Sequence, residues 1–195
     1  DAVLLPDGTV FVVNGAARGS ADHSHDAVLE PELFDLEAEK WTRMAEMKVK
    51  RLYHATAILL PDARVLVGGT TRQYNPDVDA DEFRIQVFSP PYLFRGPRPT
   101  ITSTSKAVSY EEAFDIVTPE AGDIESVVLI RPSSVTHSND MDQRYVGLKI
   151  HSPRGTERIT VTAPHDANIA PPGYYMLFIV NSQKIPSVAK FVKLT

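Results

Sequence analysis

The stretch Leu59-Leu-Pro-Asp-Ala-Arg-Val-Leu-Val-Gly-Gly69 decides the fold, because the chain already contains it as Leu4-Leu-Pro-Asp-Gly-Thr-Val-Phe-Val-Val-Asn-Gly15, 55 residues earlier. Each copy reads as an apolar strand, a Pro-Asp turn and a second strand, with Val10 and Val12 matched by Val65 and Val67. Proline presets φ for such a turn, and aspartate bonds its own backbone there. The second copy is entered through Arg51-Leu-Tyr-His-Ala-Thr-Ala-Ile58, which places a phenol and an imidazole side by side, Tyr53 and His54, directly before an apolar strand. A metal site on the rim of a sheet has this form. So has an ordinary buried hairpin.

After each copy comes a polar loop and then a hydrophobic stretch, ending near Phe34-Asp35 and Val87-Phe88. A period of about 50 residues with four short strands per unit marks a kelch-type propeller blade. Two blades cannot close a ring or bury both faces alone. The chain also opens inside a strand and turn, so the expectation is a part of a longer protein whose upstream blades complete the ring. Lys40-Trp-Thr-Arg43 reads as the outer strand of the first unit, with Trp41 expected to pack between blades.

Phe88-Ser-Pro-Pro-Tyr-Leu-Phe-Arg-Gly-Pro-Arg-Pro99 reads as a rigid, extended exit that cannot continue a central strand. It divides the chain into 1–96, the last blades, and 97–195, where the blade repeat stops. Strands are expected over 113–118, 126–131, 144–151, 158–163, 174–181 and 189–194. Alternation and regular turns over this length predict an immunoglobulin-like β-sandwich, with Tyr174–Asn181 as its central strand. The fold class is all-β.

Bulk properties narrow the function. The 195 residues are 43% hydrophobic and 23% charged, which suits one or two globular domains. A net charge of -5 without a basic run argues against a nucleic-acid binder. With no cysteine, neither disulfides nor thiolate metal sites can form from these residues. No apolar run approaches the roughly 18 residues of a membrane span.

Three places carry possible chemistry. Asp22-His-Ser-His-Asp26 offers His23 and His25, two imidazoles without a third ligand nearby, and a solvated loop is the better account of them. Ser133-Ser-Val-Thr-His-Ser-Asn-Asp-Met-Asp-Gln-Arg144 is longer than an ordinary hairpin connection. It carries His137 at its centre, and Asn139, Asp142, Gln143 and Arg144 are placed to stiffen it. Tyr53 and His54, as neighbours on a strand, would point to opposite faces; they reach one ion only where the strand starts and the pleat is broken. Two imidazoles and a phenolate favour Cu(II) over structural zinc.

Taken together, Arg51-Leu-Tyr-His-Ala55, Leu59-Leu-Pro-Asp62, Phe88-Ser-Pro-Pro-Tyr-Leu93, Val135-Thr-His-Ser138 with Asp142-Gln-Arg144, and Pro172-Gly-Tyr-Tyr-Met-Leu-Phe178 resemble the C-terminal part of the galactose oxidase and glyoxal oxidase family of copper radical oxidases. The likeness covers nearly the whole chain. It implies propeller blades followed by an immunoglobulin-like domain, with a loop of the latter delivering a copper ligand into the propeller. It further implies copper held by Tyr53, His54 and His137, with Tyr53 as the axial ligand and the catalytic base. The implied chemistry oxidises a primary alcohol or aldehyde with O2, which becomes hydrogen peroxide, in a secreted or cell-surface setting. The second electron rests in that family on a tyrosine crosslinked to cysteine; this cofactor would have to come from upstream residues. The loop 18–26 lacks the aromatic residue that contacts sugar in galactose oxidase, which implies a smaller or differently shaped substrate, with His23 as a possible contact.

A second reading stays open from the residues alone: a non-catalytic propeller and sandwich that binds glycans or cell-wall polymer. The missing cysteine motivates it, and fold by itself does not give function. In a third, Tyr53 and His54 merely satisfy a strand end.

Overall fold

The computed structural model describes residues 1–18, 24–70, 82–151 and 157–195. The backbone is all-β, its strands interrupted among the described residues only by single 3-10 turns. Two compact units divide it. The first comprises Asp1–Leu60, Arg64–Phe88 and Ser133–Asp142, and the second Pro61–Ala63, Ser89–Pro132 and Gln143–Thr195.

In the first unit, β1 (Ala2–Leu4), β2 (Val10–Val12), β3 (Glu32–Asp35) and β4 (Lys40–Arg43) form an antiparallel sheet in chain order. A second sheet follows from β5 (Thr56–Leu59), β6 (Val65–Gly68) and β7 (Gln86–Phe88). The repeat in the sequence is a repeat in register. Leu4 faces Val10 and Val10 faces Phe34; Leu59 faces Val65 and Val65 faces Phe88. Each Pro-Asp turn is flanked by the same closing bond, Leu5 N–H to Thr9 O at 2.9 Å and Leu60 N–H to Arg64 O at 2.8 Å. Period-two patterning sends Val65 and Val67 inward. Phe11 and Phe88 stack with centroids 4.4 Å apart and planes 14° apart, which couples the two sheets through their cores.

Trp41 differs from the expectation of burial between blades. It is 51% exposed and lies against Phe34, its cross-strand partner, at 4.7 Å between rings. The outer strand β4 is exposed along its whole length, and among the described residues Trp41 takes its ring contact from its neighbour across the ladder.

The remaining strands follow in chain order: β8 (Ser103–Thr104), β9 (Ala107–Val108), β10 (Ala113–Val117), β11 (Ile124–Ile130), β12 (Val135–Thr136), β13 (Asn139–Asp140), β14 (Tyr145–Ile150), β15 (Arg158–Thr162), β16 (Gly173–Asn181) and β17 (Lys190–Leu194). In the second unit, eight of them form one hydrogen-bonded order, β8-β10-β15-β14-β11-β16-β17-β9. This sheet curls around a single core. Phe114, Ile116, Ile159 and Val161 from one end meet Val127, Leu129, Leu177, Ile179 and Val192 from the other. Strand β16 is buried on both faces, since Met176, Phe178 and Val180 are covered as well as Tyr175, Leu177 and Ile179. The six strands expected from alternation lie within two residues of those observed. The four two-residue strands β8, β9, β12 and β13 are too short to show a period.

Phe88–Pro99 is not extended throughout. Pro90 is extended at φ -62° and ψ 155°, and Pro91 then opens a 3-10 turn over Pro91–Phe94, a position proline tolerates because its missing N–H would have no partner there. The turn buries Tyr92, whose hydroxyl donates to Ala63 O at 2.5 Å. Arg98 then forks to three carbonyls, Pro186 and Asp62 at 2.8 Å and Ser187 at 2.5 Å.

Candidate metal centre

Tyr53 and His54 occupy a turn immediately before β5, closed by Ala55 N–H to Leu52 O at 3.1 Å. His54 has φ +58°. A residue in the left-handed region breaks the pleat, which is the condition under which both side chains can face one point. They do: the Tyr53 and His54 rings stack at 3.9 Å with 28° between planes. The glycine at 69 permits the arrangement, since a Cβ there would lie 2.5 Å from His54 O and 3.3 Å from Ala55 Cα.

Ser133–Asp142, an excursion between β11 and β14, belongs to the first unit. It folds as a tight hairpin, β12 pairing β13 with Thr136 opposite Asn139. The two residues at its tip, His137 and Ser138, have φ +53° and +63°, the pair of positive values that a type I′ turn demands. Asn139 Nδ2 donates to His137 O at 3.1 Å, and Asp140 Oδ1 accepts from Ser134 N at 2.9 Å and Asp142 N at 3.2 Å. Asp140 is therefore the main clamp of the hairpin, a role the sequence reading gave to its neighbours. A carboxylate two residues before a backbone amide is a recognisable turn signal, so the sequence did contain it. Arg144 instead belongs to the second unit and donates to Ile169 O at 3.3 Å.

The two segments converge. His137 Nε2 stands 3.2 Å from His54 Nε2, the rings are edge to face at 86° with centroids 4.7 Å apart, and Tyr53 lies 5.7 Å from His137 between centroids. On the far side of His137, Nδ1 contacts Thr136 Oγ1 at 2.8 Å. With the hydroxyl accepting from Nδ1–H, Nε2 keeps its lone pair toward His54. Both imidazoles are exposed and Tyr53 is half-buried. Among the described residues no third His, Cys, Asp or Glu joins them. Two nitrogens 3.2 Å apart suit a single ion with metal–nitrogen bonds of roughly 2.0–2.1 Å each. Imidazole with a phenol oxygen is a donor set that fits copper.

Beneath the turn lies Arg51, fully buried. Its Nη1 donates to Gly69 O and its Nη2 to Arg84 O, both at 2.7 Å. Burial pulls its pKa below the ordinary value while the Glu82 carboxylate pushes it up. Glu82 is itself lowered to about 2, chiefly by the side-chain bonds from Arg84. In the sequence Arg51 stands within the Arg51–Ala55 motif with no signal of burial. Of the other histidines singled out, His25 is exposed in the 3-10 turn Ser24–Asp26, with Nε2 3.5 Å from the Asp26 carboxylate. His23 lies outside the described residues.

Blade-like sheets, a curled sandwich sheet, and two imidazoles meeting beside a phenol define an all-β protein in which nitrogen and oxygen donors converge at one exposed point. Comparison with known proteins is more specific. The family model described as glyoxal oxidase N-terminus matches residues 1–92, and galactose oxidase-like, Early set domain matches 98–194. The chain is 38% identical to an aldehyde oxidase GLOX of Vitis pseudoreticulata, across 100% of this chain and 40% of the relative. It is 34% identical to a galactose oxidase of Gibberella zeae, across 100% of this chain and 29% of the relative. A solved fungal alcohol oxidase in complex with copper superposes with a TM-score of 0.91 at 35% identity, covering 100% of this chain and 42% of that one. The chain belongs to the galactose oxidase and glyoxal oxidase family. It spans about two fifths or less of these relatives' length. No helix among the described residues is long and apolar enough to cross a membrane.

Proposed function

We propose that this chain carries one side of the active centre of a copper oxidase that converts a primary alcohol or an aldehyde, with O2, to the more oxidised product and hydrogen peroxide. The observation that supports this most is the approach of His54 Nε2 and His137 Nε2 to 3.2 Å beside the Tyr53 ring. Copper, when bound, supplies a one-electron redox change and a Lewis acid for the substrate oxygen. The chain's own residues do the rest. His54 and His137 hold the ion through Nε2. Tyr53, half-buried and stacked on His54, would join them as a phenolate ligand and take the substrate hydroxyl proton on that oxygen, becoming the neutral phenol.

For an alcohol, the substrate gives up two electrons and two protons, and O2 takes up both as peroxide; for an aldehyde, water supplies the added oxygen. The second electron needs a store besides copper. The sequence has no cysteine, so the crosslinked tyrosine–cysteine pair of the family belongs to residues outside it. The same reading assigns a kelch-type propeller completed by upstream blades, residues 1–96 and 97–195 as the two domains, and a secreted or cell-surface setting. The loop 18–26 offers His23 rather than an aromatic ring to substrate, which supports a small alcohol or aldehyde over a stacked sugar.

The test is copper stoichiometry of the intact protein with peroxide release on small aldehydes, glycerol and galactose. One copper per chain, lost in the His54→Ala plus His137→Ala variant together with peroxide release, is the expected result. Unchanged copper binding in that variant sinks the proposal. Glycan retention without copper or peroxide would establish the binding reading instead.

A further inference from the structure

Arg51 stands two residues before Tyr53 and is 0% exposed. Its Nη groups donate to Gly69 O at the exit of β6, to Arg84 O before the entry of β7, and at a longer 3.5 Å to Gln86 Oε1 at that entry. Its own carbonyl accepts from Gly15 N–H at 2.9 Å, and the next amide, Leu52 N–H, donates to Thr70 Oγ1 at 3.1 Å. Five bonds therefore tie Arg51 and Leu52 to three separate stretches of the first unit. Gly69, which receives the guanidinium, is also the residue at which an added Cβ would lie 2.5 Å from His54 O. Arg51 and Gly69 thus bond each other, and both lie next to the Tyr53–His54 turn.

Stability alone is a poor account of this residue. Its Nε is buried and has no hydrogen-bond partner among the described residues. An incompletely satisfied buried charge is often matched or bettered in stability by an apolar side chain of similar volume. What an apolar side chain cannot do is fork to two carbonyls at fixed directions.

We propose that Arg51 is a positioning residue for the copper-ligand pair: by fixing Gly69 and Arg84 to its own backbone, it sets where the Tyr53–His54 turn presents its rings to His137. This inference rests on the copper reading of the site. Supporting residues of metal ligands typically change affinity by about tenfold to a hundredfold when replaced.

The experiment compares wild type, Arg51→Lys and Gly69→Ala in the intact protein by chelator-competition titration with Cu(II), Cu(II) electron paramagnetic resonance, and circular dichroism of the metal-free form. Arg51→Lys keeps the charge but has one ammonium group for two divergent carbonyls. It is expected to stay folded, bind Cu(II) about tenfold to a hundredfold more weakly, and show altered parallel copper hyperfine splitting. Gly69→Ala, which displaces the same turn, should alter the same splitting. Wild-type affinity and spectrum in folded Arg51→Lys overturn the proposal. If Arg51→Lys does not fold, Arg51→Gln, which buries no unpaired charge, carries the same comparison. If neither folds, Arg51 is a folding residue and the proposal is overturned. Failure of the copper reading is seen separately, as wild type that takes up no copper.

Discussion

His54 and His137 bring their Nε2 atoms to 3.2 Å across 83 residues of chain. Each sits at a positive φ, +58° and +53°, in a turn that would present neither ring if the backbone stayed extended. Backbone strain of this kind is held only where the surroundings over-determine it. Here Gly69 and Arg51 hold the first turn, and Asp140 with Asn139 hold the second.

Thr136 sets the direction of the His137 ring. Its Oγ1 lies 2.8 Å from Nδ1, so Thr136→Val removes the partner that keeps the proton on Nδ1 and the lone pair on Nε2. Cu(II) affinity is expected to fall by about tenfold, measured by chelator competition, with Thr136→Ser restoring it. Equal affinity in Thr136→Val and wild type would show that the hydroxyl has no part in orienting the ligand.

How much of this was visible beforehand depended on the length scale. The two sheets of the first unit read directly from the repeated Leu-Leu-Pro-Asp segments, and the sandwich strands from apolar runs of five or more residues bounded by turns. The Tyr53-His54 geometry is deducible up to a condition, a broken pleat, but the room for it comes from Gly69, 15 residues on in sequence, where a Cβ would lie 2.5 Å from His54 O. His137 was found as a residue, yet the hairpin under it was not, because two-residue strands carry no pattern. Asp140 was passed over for its neighbours, although its carboxylate makes the bonds. Arg51 was invisible as a site residue, since burial of an arginine is a tertiary outcome.

Acid should loosen the first unit through Glu82. Its folded-state pKa, about 2, lies below the ordinary 4.5 because Arg84 donates to it. A depressed carboxylate contributes stability above pH 4.5, and that contribution is lost as pH falls from 4.5 toward about 2. Glu82→Gln should therefore flatten the dependence of melting temperature on pH in this window. An unaltered acid limb in the variant would exclude Glu82 as a contributor.

Arg98 offers a test of the second unit. Its guanidinium satisfies the carbonyls of Asp62, Pro186 and Ser187, and burial holds its pKa below the ordinary value without neutralising it. Arg98→Ala leaves these three carbonyls without that donor, and bonds to a charged group are worth about 1.5–3 kcal/mol each, so a loss on the order of 3 kcal/mol is expected after relaxation. Denaturant unfolding measures it. Arg98→Lys should recover only part, since the three carbonyls are bonded from three different nitrogens of the planar fork, which a single ammonium nitrogen cannot match. A loss in Arg98→Ala below about 1 kcal/mol would mean water replaces the guanidinium fully.

Tyr53 separates chemistry from scaffold. Tyr53→Phe keeps the ring that stacks on His54 at 3.9 Å and removes only the oxygen. If that oxygen accepts the substrate proton, peroxide release should fall by about 10²- to 10⁴-fold, the range for a lost general base. The thermal midpoint should hardly move, because the stacked ring remains. A purely structural Tyr53 gives the opposite pattern, a lower midpoint with turnover per folded molecule intact. The two imidazoles remain in Tyr53→Phe, so copper should still bind with weakened affinity. Substrate alcohols of graded acidity sharpen the distinction. With the base removed, turnover by Tyr53→Phe should depend more steeply on the substrate's hydroxyl pKa than turnover by wild type. Equal dependence in the two proteins would place the proton acceptor elsewhere.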